Sequence, residues 1–206
     1  MTLQICILGS LIALKRARDG IIGILLVNVT NAVILDNEIN RTLRDGEGLL
    51  LNSSKQCQVQ GNLISNFFRG ITLYSCENVP IENNEIFENT NGILNWRSPD
   101  CTISGNIIKN NTYGLNFHTA NETNIFENNI TENDYGVWLE NSFKNKFYQN
   151  YFVDNINQAH IESNSENYWN ETYPIGGNYW DDFETIYPTV EDIYDGEYPQ
   201  STGGER

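Results

Sequence analysis

The 206-residue chain has a formal net charge of −15 at pH 7, with 12 Lys and Arg against 27 Asp and Glu. Such a surface repels a phosphate backbone, and the basic residues are scattered, so nucleic acid is excluded as a partner. Asn occupies 31 positions, and the apolar residues stand mostly as isolated Ile, Leu, Val and Phe. This composition predicts many short β-strands separated by turns.

The apolar stretch at residues 3–14 is too short to cross a bilayer, so no membrane span is expected. Its basic neighbours Lys15, Arg16 and Arg18 follow it, whereas those of a signal peptide come first. We expect residues 1–22 to form an N-terminal cap or an incomplete first coil, with a non-standard export signal as the alternative.

A strict 22-residue period organises the chain from residue 48 to residue 157, and one earlier, longer coil begins at Gly23 and ends just before Gly48. The first position of each coil is occupied by Gly48, Gly70, Gly92, Gly114 and Gly136, with Gln158 in the sixth slot. The three extra residues of the earlier coil fall in the polar stretch 41–47, where a surface loop can bulge without disturbing the stack.

Apolar residues recur at fixed places in every coil. Two alternate positions after the glycine mark a first strand that points them inward. A second strand is marked by Ile34, Val59, Ile81, Ile103, Ile125 and Phe147, and a third by Ile39, Ile64, Ile86, Ile108, Ile130 and Phe152. Three short strands per coil of about 22 residues predict an all-β fold, a single-stranded right-handed parallel β-helix over residues 23–170.

Polar residues also form columns, and we interpret them as structural. Two asparagine columns lie at the turns: Asn37, Asn62, Asn84, Asn106, Asn128 and Asn150, and Asn89, Asn111, Asn133 and Asn155. Each amide can bond its own turn and the next amide in the stack. A catalytic or metal site would not recur in every coil. The small column Ser54, Cys76, Ser98, Ala120 and Ser142 indicates a tight turn, and no serine has a histidine partner for a hydrolase triad.

Four cysteines are too few for a disulfide framework, and none has C-x-x-C spacing. Cys57 and Cys101 share a column two coils apart, which puts their α-carbons roughly 9.6 Å apart at ~4.8 Å per coil. This distance is too long for a disulfide. We interpret the cysteines as small buried hydrophobic residues.

The outward positions of the first strand gather both histidines and two of the four tryptophans. One stripe contains Tyr74, Trp96, His118, Glu140 and Glu162, and the next contains Thr72, Leu94, Asn116, Trp138 and His160. Aromatic rings beside carboxylates and imidazoles suit sugars. We therefore predict ligand binding by Tyr74, Trp96, His118, Trp138 and His160. The alternative is ordinary sheet surface, where such residues are favoured by propensity.

Glu140 and Glu162 are expected ~5 Å apart on neighbouring coils, near the spacing of a retaining glycosidase pair. With His118 and Arg97 they form the candidate catalytic set of a polysaccharide lyase, epimerase or glycoside hydrolase. The aspartates are scattered, unlike the clustered ones of the pectate lyases and polygalacturonases. The sequence thus favours a binding or structural module over an enzyme, and leaves the enzyme as the alternative.

The coil pattern Gly-Ile-x-Leu, followed by Asn-x-x-x-Ile turns, resembles the repeats of the NosD-like family and of archaeal cell-surface proteins with a pectin-lyase-like fold. Residues 176–183, Gly-Gly-Asn-Tyr-Trp-Asp-Asp-Phe, are similar to the block that follows the last coil in those surface proteins. Family members usually finish with an Asp-Gly-Ile-Gly-Asp-x-Pro-Tyr stretch, which is absent here. We therefore expect the aromatic and acidic tail at 171–206 to be truncated.

The resemblance implies an extracellular, cell-surface or periplasmic module that binds a polysaccharide or other glycan, or that builds the cell envelope. A second alternative that it implies is an accessory role in the maturation of a copper enzyme. With two histidines and one methionine, the chain has few copper ligands, and we assign copper to no residue.

The sequence predicts no cofactor. The alternative is a calcium ion bound at the tail, because oxygen ligands abound there at Asp181, Asp182, Glu184 and Asp192. Unpaired strands at the ends of the stack favour end-to-end self-association unless they are capped. We predict that the aromatic segment 168–183 caps one end.

Overall fold

The structure is a computed structural model that describes residues 21–162, 166–172 and 175–182, together with short strands at 3–4, 11–12 and 17–18. Each central coil contributes one six-residue strand and two three-residue strands. Successive coils pair in parallel and build three long sheets, A, B and C. The predicted parallel β-helix with three strands per coil is confirmed.

The strands are numbered in chain order. Sheet A contains β1 (Leu3–Gln4), β4 (Ile22–Val27), β7 (Glu47–Asn52), β10 (Arg69–Tyr74), β13 (Asn91–Trp96), β16 (Tyr113–His118), β19 (Tyr135–Glu140) and β22 (Asn157–Glu162). Sheet B contains β2 (Leu11–Ile12), β5 (Val33–Leu35), β8 (Gln58–Gln60), β11 (Pro80–Glu82), β14 (Thr102–Ser104), β17 (Asn124–Phe126) and β20 (Lys146–Tyr148). Sheet C contains β3 (Ala17–Arg18), β6 (Glu38–Asn40), β9 (Leu63–Ser65), β12 (Glu85–Phe87), β15 (Ile107–Lys109), β18 (Asn129–Thr131), β21 (Tyr151–Val153) and β25 (Tyr179–Trp180). An antiparallel pair is formed by β23 (Asn170–Glu171) and β24 (Gly176–Gly177).

The strand register locates the insertion in the longer coil. In sheet C, Ile39 of β6 lies opposite Ile64 of β9, a sequence separation of 25. In sheet A, Leu49 of β7 lies opposite Ile71 of β10, a sequence separation of 22. The three extra residues therefore lie between β6 and β7, in the loop at 41–46. The predicted surface loop is confirmed.

The glycine column lies where neighbouring coils approach most closely. A Cβ built on Gly114 would lie 2.7 Å from the carbonyl oxygen of Gly136, and one on Gly136 would lie 2.5 Å from that of Gln158. Gly114 and Gly136 have no positive φ, so glycine is required here for space and not for backbone conformation. Gln158 fits the same slot in the last coil, where no further sheet A strand is stacked on it within the described residues.

Each central coil turns at four corners, and each corner is built by one residue in the left-handed region of φ. In the coil that starts at Gly114 these residues are Thr119, Glu122, Glu127 and Glu132, with φ between 53° and 58°. The residue after each corner points inward and is buried: Ala120, Thr123, Asn128 and Asn133. The corners therefore place small or polar side chains where the backbone needs hydrogen-bond partners.

The predicted asparagine ladders are confirmed, and Asn106 shows how a rung works. Its Nδ2 donates to the Ile81 carbonyl of the preceding coil and to Oδ1 of Asn128, each at 2.9 Å. Its Oδ1 accepts the backbone N–H of Asn84 at 2.9 Å. Every coil thus satisfies buried groups of its neighbours, and a buried polar group without a partner would cost about 1–3 kcal/mol.

A third ladder was not predicted. Thr123 donates its backbone N–H to Oδ1 of Asn145 at 3.0 Å, and Nδ2 of Asn145 donates to Oδ1 of Asn167 at 2.9 Å. It begins late because earlier coils place apolar residues in the same column. Those residues are Cys57, Val79 and Cys101.

The prediction that the cysteines are buried is confirmed for Cys57, Cys76 and Cys101, whose thiols are free. Burial raises the pKa of the Cys101 thiol to about 12. These thiols therefore stay protonated and unreactive at neutral pH. Cys6 lies outside the described residues.

The segment after residue 166 adds a further rung to the stack. Lys146 pairs with Tyr168, a sequence separation of 22, whereas Tyr151 lies opposite Tyr179, a separation of 28. The six extra residues lie between Tyr168 and Tyr179, where β23 and β24 form a small hairpin. Strand stacking therefore continues into the tail.

Two tryptophans of the tail cover the end of the core. Trp169 stacks on Phe147 with ring centroids 4.4 Å apart, and Trp180 stacks on Phe152 at 4.3 Å. Trp180 is only 6% exposed. This is the geometry of a cap, while Phe183 of the predicted capping segment lies outside the described residues. Across the described part of the chain, no helix is long and apolar enough to cross a membrane.

Candidate functional site on the outer face of sheet A

Five side chains form one row along the outer face of sheet A. Successive members occupy paired positions in β10, β13, β16, β19 and β22. They are Tyr74, Trp96, His118, Glu140 and Glu162. The parallel register thus brings together residues that lie one coil apart in the sequence.

Neighbouring members of this row contact one another. Trp96 stacks on His118 with ring centroids 5.0 Å apart and planes 21° apart, and Tyr74 is tilted by 32° from Trp96 at 6.3 Å. Nδ1 of His118 lies 2.5 Å from Oε2 of Glu140. Nearly parallel rings at 5.0 Å overlap, so their faces meet each other and their edges face outward.

A second aromatic group lies beside the row. Trp138 stacks on His160 with centroids 4.0 Å apart. It also meets the rings of Tyr113 and Tyr135 edge-on, at 5.6 and 5.0 Å. These two tyrosines were not predicted from the sequence, although they occupy the position before the glycine in their coils, where their rings meet the outward-facing Trp138.

Part of the predicted second stripe is not exposed. Thr72, Leu94 and Asn116 are 4%, 5% and 8% exposed, so the expectation of an open stripe at these three positions was wrong. Strand alternation directs these three side chains outward, but longer side chains in the neighbouring columns cover them. Nδ2 of Asn116, for example, donates to Oδ1 of Asn91 in the flanking column at 2.7 Å.

The structure brings two of the four candidate catalytic residues into contact, His118 and Glu140. Glu162 lies opposite Glu140 in the register, on the next coil. Arg97 is exposed at the corner after β13 and has a positive φ of 53°. The set spans four successive coils, or roughly 14 Å at ~4.8 Å per coil, which is too long for all four groups to act on one bond.

The carboxylate of Asp181, a candidate calcium ligand, has a structural role. Its Oδ2 accepts the backbone N–H of Asp154 at 2.6 Å, and its Oδ1 accepts the side-chain amide of Gln158. Among the described residues no three His, Cys, Asp or Glu side chains are grouped as metal ligands. Glu184 and Asp192 lie outside the described residues.

A family model described as periplasmic copper-binding protein (NosD) matches residues 9–185. No curated protein sequence matches the chain significantly. A mutant of the periplasmic alginate epimerase AlgG superposes with a TM-score of 0.63 at 17% identity, covering 78% of this chain and 44% of that one. A mutant of the DFA-IIIase of Arthrobacter chlorophenolicus A6, in complex with DFA-III, gives 0.52 at 14% identity, covering 68% and 31%. The Dettilon tailspike protein gives 0.51 at 12% identity, covering 92% and 50%.

These likenesses are to the fold alone. The chain spans less than half the length of the epimerase.

The donors described here do not fit a copper ion. Copper prefers imidazole and sulfur ligands. The two histidines, His118 and His160, lie two coils apart on sheet A, and in the described part of the chain neither belongs to a group of three His, Cys, Asp or Glu side chains that could hold an ion. The described thiols lie inside the core, where burial raises their pKa values. We therefore derive no chemistry through copper from these residues.

The family match extends over most of the chain, from residue 9 to residue 185 of 206. It agrees with the resemblance in the coil pattern and the Gly-Gly-Asn-Tyr-Trp block, and with the three-sheet solenoid that the structure shows. The chain belongs to the NosD family.

Proposed function

We propose that this chain is a glycan-binding β-helix module that works outside the cytoplasm, in the periplasm, at the cell surface or in the medium. The observation that carries the proposal is the aromatic and polar face of sheet A, with two tryptophans, two histidines and the tyrosines beside them. The periplasmic description of the family supports the location. Similar folds occur in an alginate epimerase and a tailspike protein, which is consistent with the proposed glycan-binding module.

The stacking geometry determines how a ligand would be recognised. Because the rings of Trp96 and His118 stack along the helix axis, their edges and not their faces are turned outward, beside the carboxylate of Glu140. These groups recur about every 4.8 Å along the sheet. A row of donors and acceptors with apolar ring edges between them suits a hydroxylated polymer that lies along the axis.

The charge of the protein narrows the class of glycan. A net charge of −15 opposes the approach of a polyanion, and the row itself contains Glu140 and Glu162. Neutral glycans are therefore the expected ligands.

Glycan-array binding tests the proposal. The double variant Trp96→Ala, Trp138→Ala removes the two largest rings of the face and should reduce binding of neutral glycans at least about tenfold, the equivalent of ~1.4 kcal/mol. A matched control, Phe87→Ala with Phe143→Ala, removes two aromatic side chains that lie outside sheet A and should bind as the wild type does. Equal binding by the double variant and the wild type, or no binding by either, would refute the proposal.

The contact between the imidazole of His118 and the carboxylate of Glu140 favours a second candidate, acid–base chemistry on the bound glycan by a lyase, an epimerase or a hydrolase. A carboxylate at 2.5 Å orients the imidazole, as in many general acid–base pairs. Neutral and acidic polysaccharides would be screened for cleavage or epimerisation by the wild type and by Glu140→Gln. This candidate requires an activity that the variant loses, and either an inactive wild type or an active variant excludes it.

A further inference from the structure

A cleft lies away from sheet A, at the corner where sheet B meets sheet C. The cleft has a volume of about 420 Å³ and lies near the tail. The cleft is lined by Glu127, Gln149, Asn150, Tyr151, Gly177 and Tyr179. Its walls therefore come from two central coils and from the rung that the tail adds.

Two tyrosines form the aromatic wall of the cleft. Tyr151 and Tyr179 lie opposite each other in neighbouring strands of sheet C and are 57% and 53% exposed. Their centroids are 5.8 Å apart and their planes differ by 40°. This pair is splayed, unlike the overlapping Trp96 and His118 rings, so ring faces are open to a ligand.

The opposite wall is polar and is held in place by backbone contacts. Gln149 donates its backbone N–H to the Gly177 carbonyl at 2.7 Å and its Nε2 to the Ile175 carbonyl at 3.3 Å. Glu127 is exposed at a left-handed corner with a φ of 56°. Within the described part of the chain its carboxylate makes no hydrogen bond or ion pair, so its oxygens are available as acceptors.

A second hollow of about 300 Å³ lies on the same corner, nearer the N-terminal coils, and its lining includes Gly61, Leu63, Gly105 and Ile107. Leu63 and Ile107 are 37% and 41% exposed. Gly61 and Gly105 carry no side chain into this hollow.

We infer that the Tyr151–Tyr179 cleft binds a pyranose ring of a neutral oligosaccharide. An apolar face of the sugar packs on the splayed tyrosine rings, and its hydroxyl groups donate to the Glu127 carboxylate. Glu127 and the acidic surface disfavour uronates and phosphates. The site is independent of the proposed function, because it uses other residues on another side of the solenoid.

The test is titration of the whole chain with neutral oligosaccharides and with the corresponding uronates, followed by amide NMR and calorimetry. The inference requires that the amide signals of Gln149 and Gly177 shift with a neutral saccharide. Tyr179→Ala should weaken this binding at least tenfold, and Glu127→Gln, an exposed and isosteric change, several-fold. A control double variant, Trp96→Ala with Trp138→Ala, should leave the shifts at Gln149 and Gly177 unchanged.

Several outcomes separate this cleft from the face of sheet A. Three results would overturn the inference. They are loss of the Gln149 and Gly177 amide shifts in the Trp96→Ala, Trp138→Ala variant, tighter binding of the uronate than of the neutral saccharide, and no shift with any neutral saccharide. If Tyr179→Ala perturbs the last rung, as circular dichroism would reveal, Glu127→Gln and Tyr151→Ala decide the question, and unchanged affinity in both refutes it. Binding on sheet A is scored separately on the glycan array, so either site can fail alone.

Discussion

Oδ1 of Asn178 accepts both the backbone N–H of Asn150, at 3.1 Å, and the side-chain amide of Asn150, at 2.9 Å. Nδ2 of Asn178 donates to the carbonyls of Phe147 and Trp169, at 3.0 and 2.9 Å. The Gly-Gly-Asn-Tyr-Trp block therefore adds a rung to a ladder that begins at Asn37. The tail is bound to the repeat by the same bonds that hold the repeat together.

Asn178→Ala is expected to lower the free energy of unfolding by about 2–4 kcal/mol, because it leaves several buried groups around Asn150 without partners. Urea unfolding followed by circular dichroism measures the loss. Asn124→Ala is the control, because Asn124 is exposed on sheet B, and it should change stability by less than about 0.5 kcal/mol. Similar effects of the two substitutions would contradict a structural role for the last rung.

Gly114 and Gly105 are required for different reasons, and substitutions at the two positions distinguish these reasons. Gly114→Ala should destabilise the fold by about 1–3 kcal/mol, because the new Cβ meets the Gly136 carbonyl oxygen of the next coil. Gly105 has a φ of +64° at a corner where the previous coil has Asn83, so Gly105→Asn should cost less than about 1 kcal/mol. Thermal and urea unfolding compare the two. A loss of less than about 0.5 kcal/mol for Gly114→Ala would show that space is not what limits the glycine column.

The fold was predictable because its signals repeat. A 22-residue spacing of glycine, isoleucine and asparagine specifies the strands and corners of every coil at once. The ladder member Asn178 was missed because it follows Asn150 at a sequence separation of 28, which breaks that spacing. Asn145 and Asn167 were missed because a column that holds apolar residues in earlier coils becomes polar only there.

The candidate site was predictable only in part. Strand alternation places Trp96 and His118 side by side on the outside of sheet A. Alternation does not report what neighbouring side chains cover, so the burial of Asn116 was not foreseen. The pairing of Glu140 with His118 depends on side-chain torsions, which the spacing of residues does not determine.

Thr119 is a strained residue beside the candidate site. It directly follows His118 and has a φ of 53°, which a β-branched residue adopts at a cost of roughly 1–2 kcal/mol. Thr119→Gly should therefore raise stability or leave it unchanged, by 0 to about 1 kcal/mol, after the added entropy of the unfolded chain is included. The control Thr131→Gly, within strand β18, should destabilise the protein. Equal losses in urea unfolding would show that the corner is not strained.

Trp180 packs the tail on the end of the core. Its removal is therefore expected to promote self-association. Its ring covers Phe152 at 4.3 Å, so Trp180→Ser should expose Phe152 and the last rung of sheet C. Exposed strand ends and apolar rings favour end-to-end association. Light scattering should show larger particles for Trp180→Ser than for the wild type. Tyr168→Ser, which changes a 39% exposed ring of the tail, is the control and should scatter as the wild type does.

The hairpin of the tail is fixed to sheet B by an ion pair that makes its stability depend on pH. Nζ of Lys146 lies 2.9 Å from Oε2 of Glu171, and this contact lowers the pKa of Glu171 below its ordinary value of 4.5. A lowered carboxyl pKa stabilises the folded state above the ordinary value, and the contribution disappears as pH falls through the lowered value. Both side chains are partly exposed, so the effect is small and weakens with salt.

Glu171→Gln removes this contribution. The variant should be less stable than the wild type at neutral pH, and the difference should shrink below pH 4.5 and vanish once Glu171 of the wild type is protonated. Urea unfolding at a series of pH values and at two salt concentrations measures the difference. Glu82→Gln is the control, because in the described part of the chain Glu82 forms no ion pair, and it should show no such trend. A difference for Glu171→Gln that persists at low pH would mean that the side chain stabilises the hairpin through packing and not through charge.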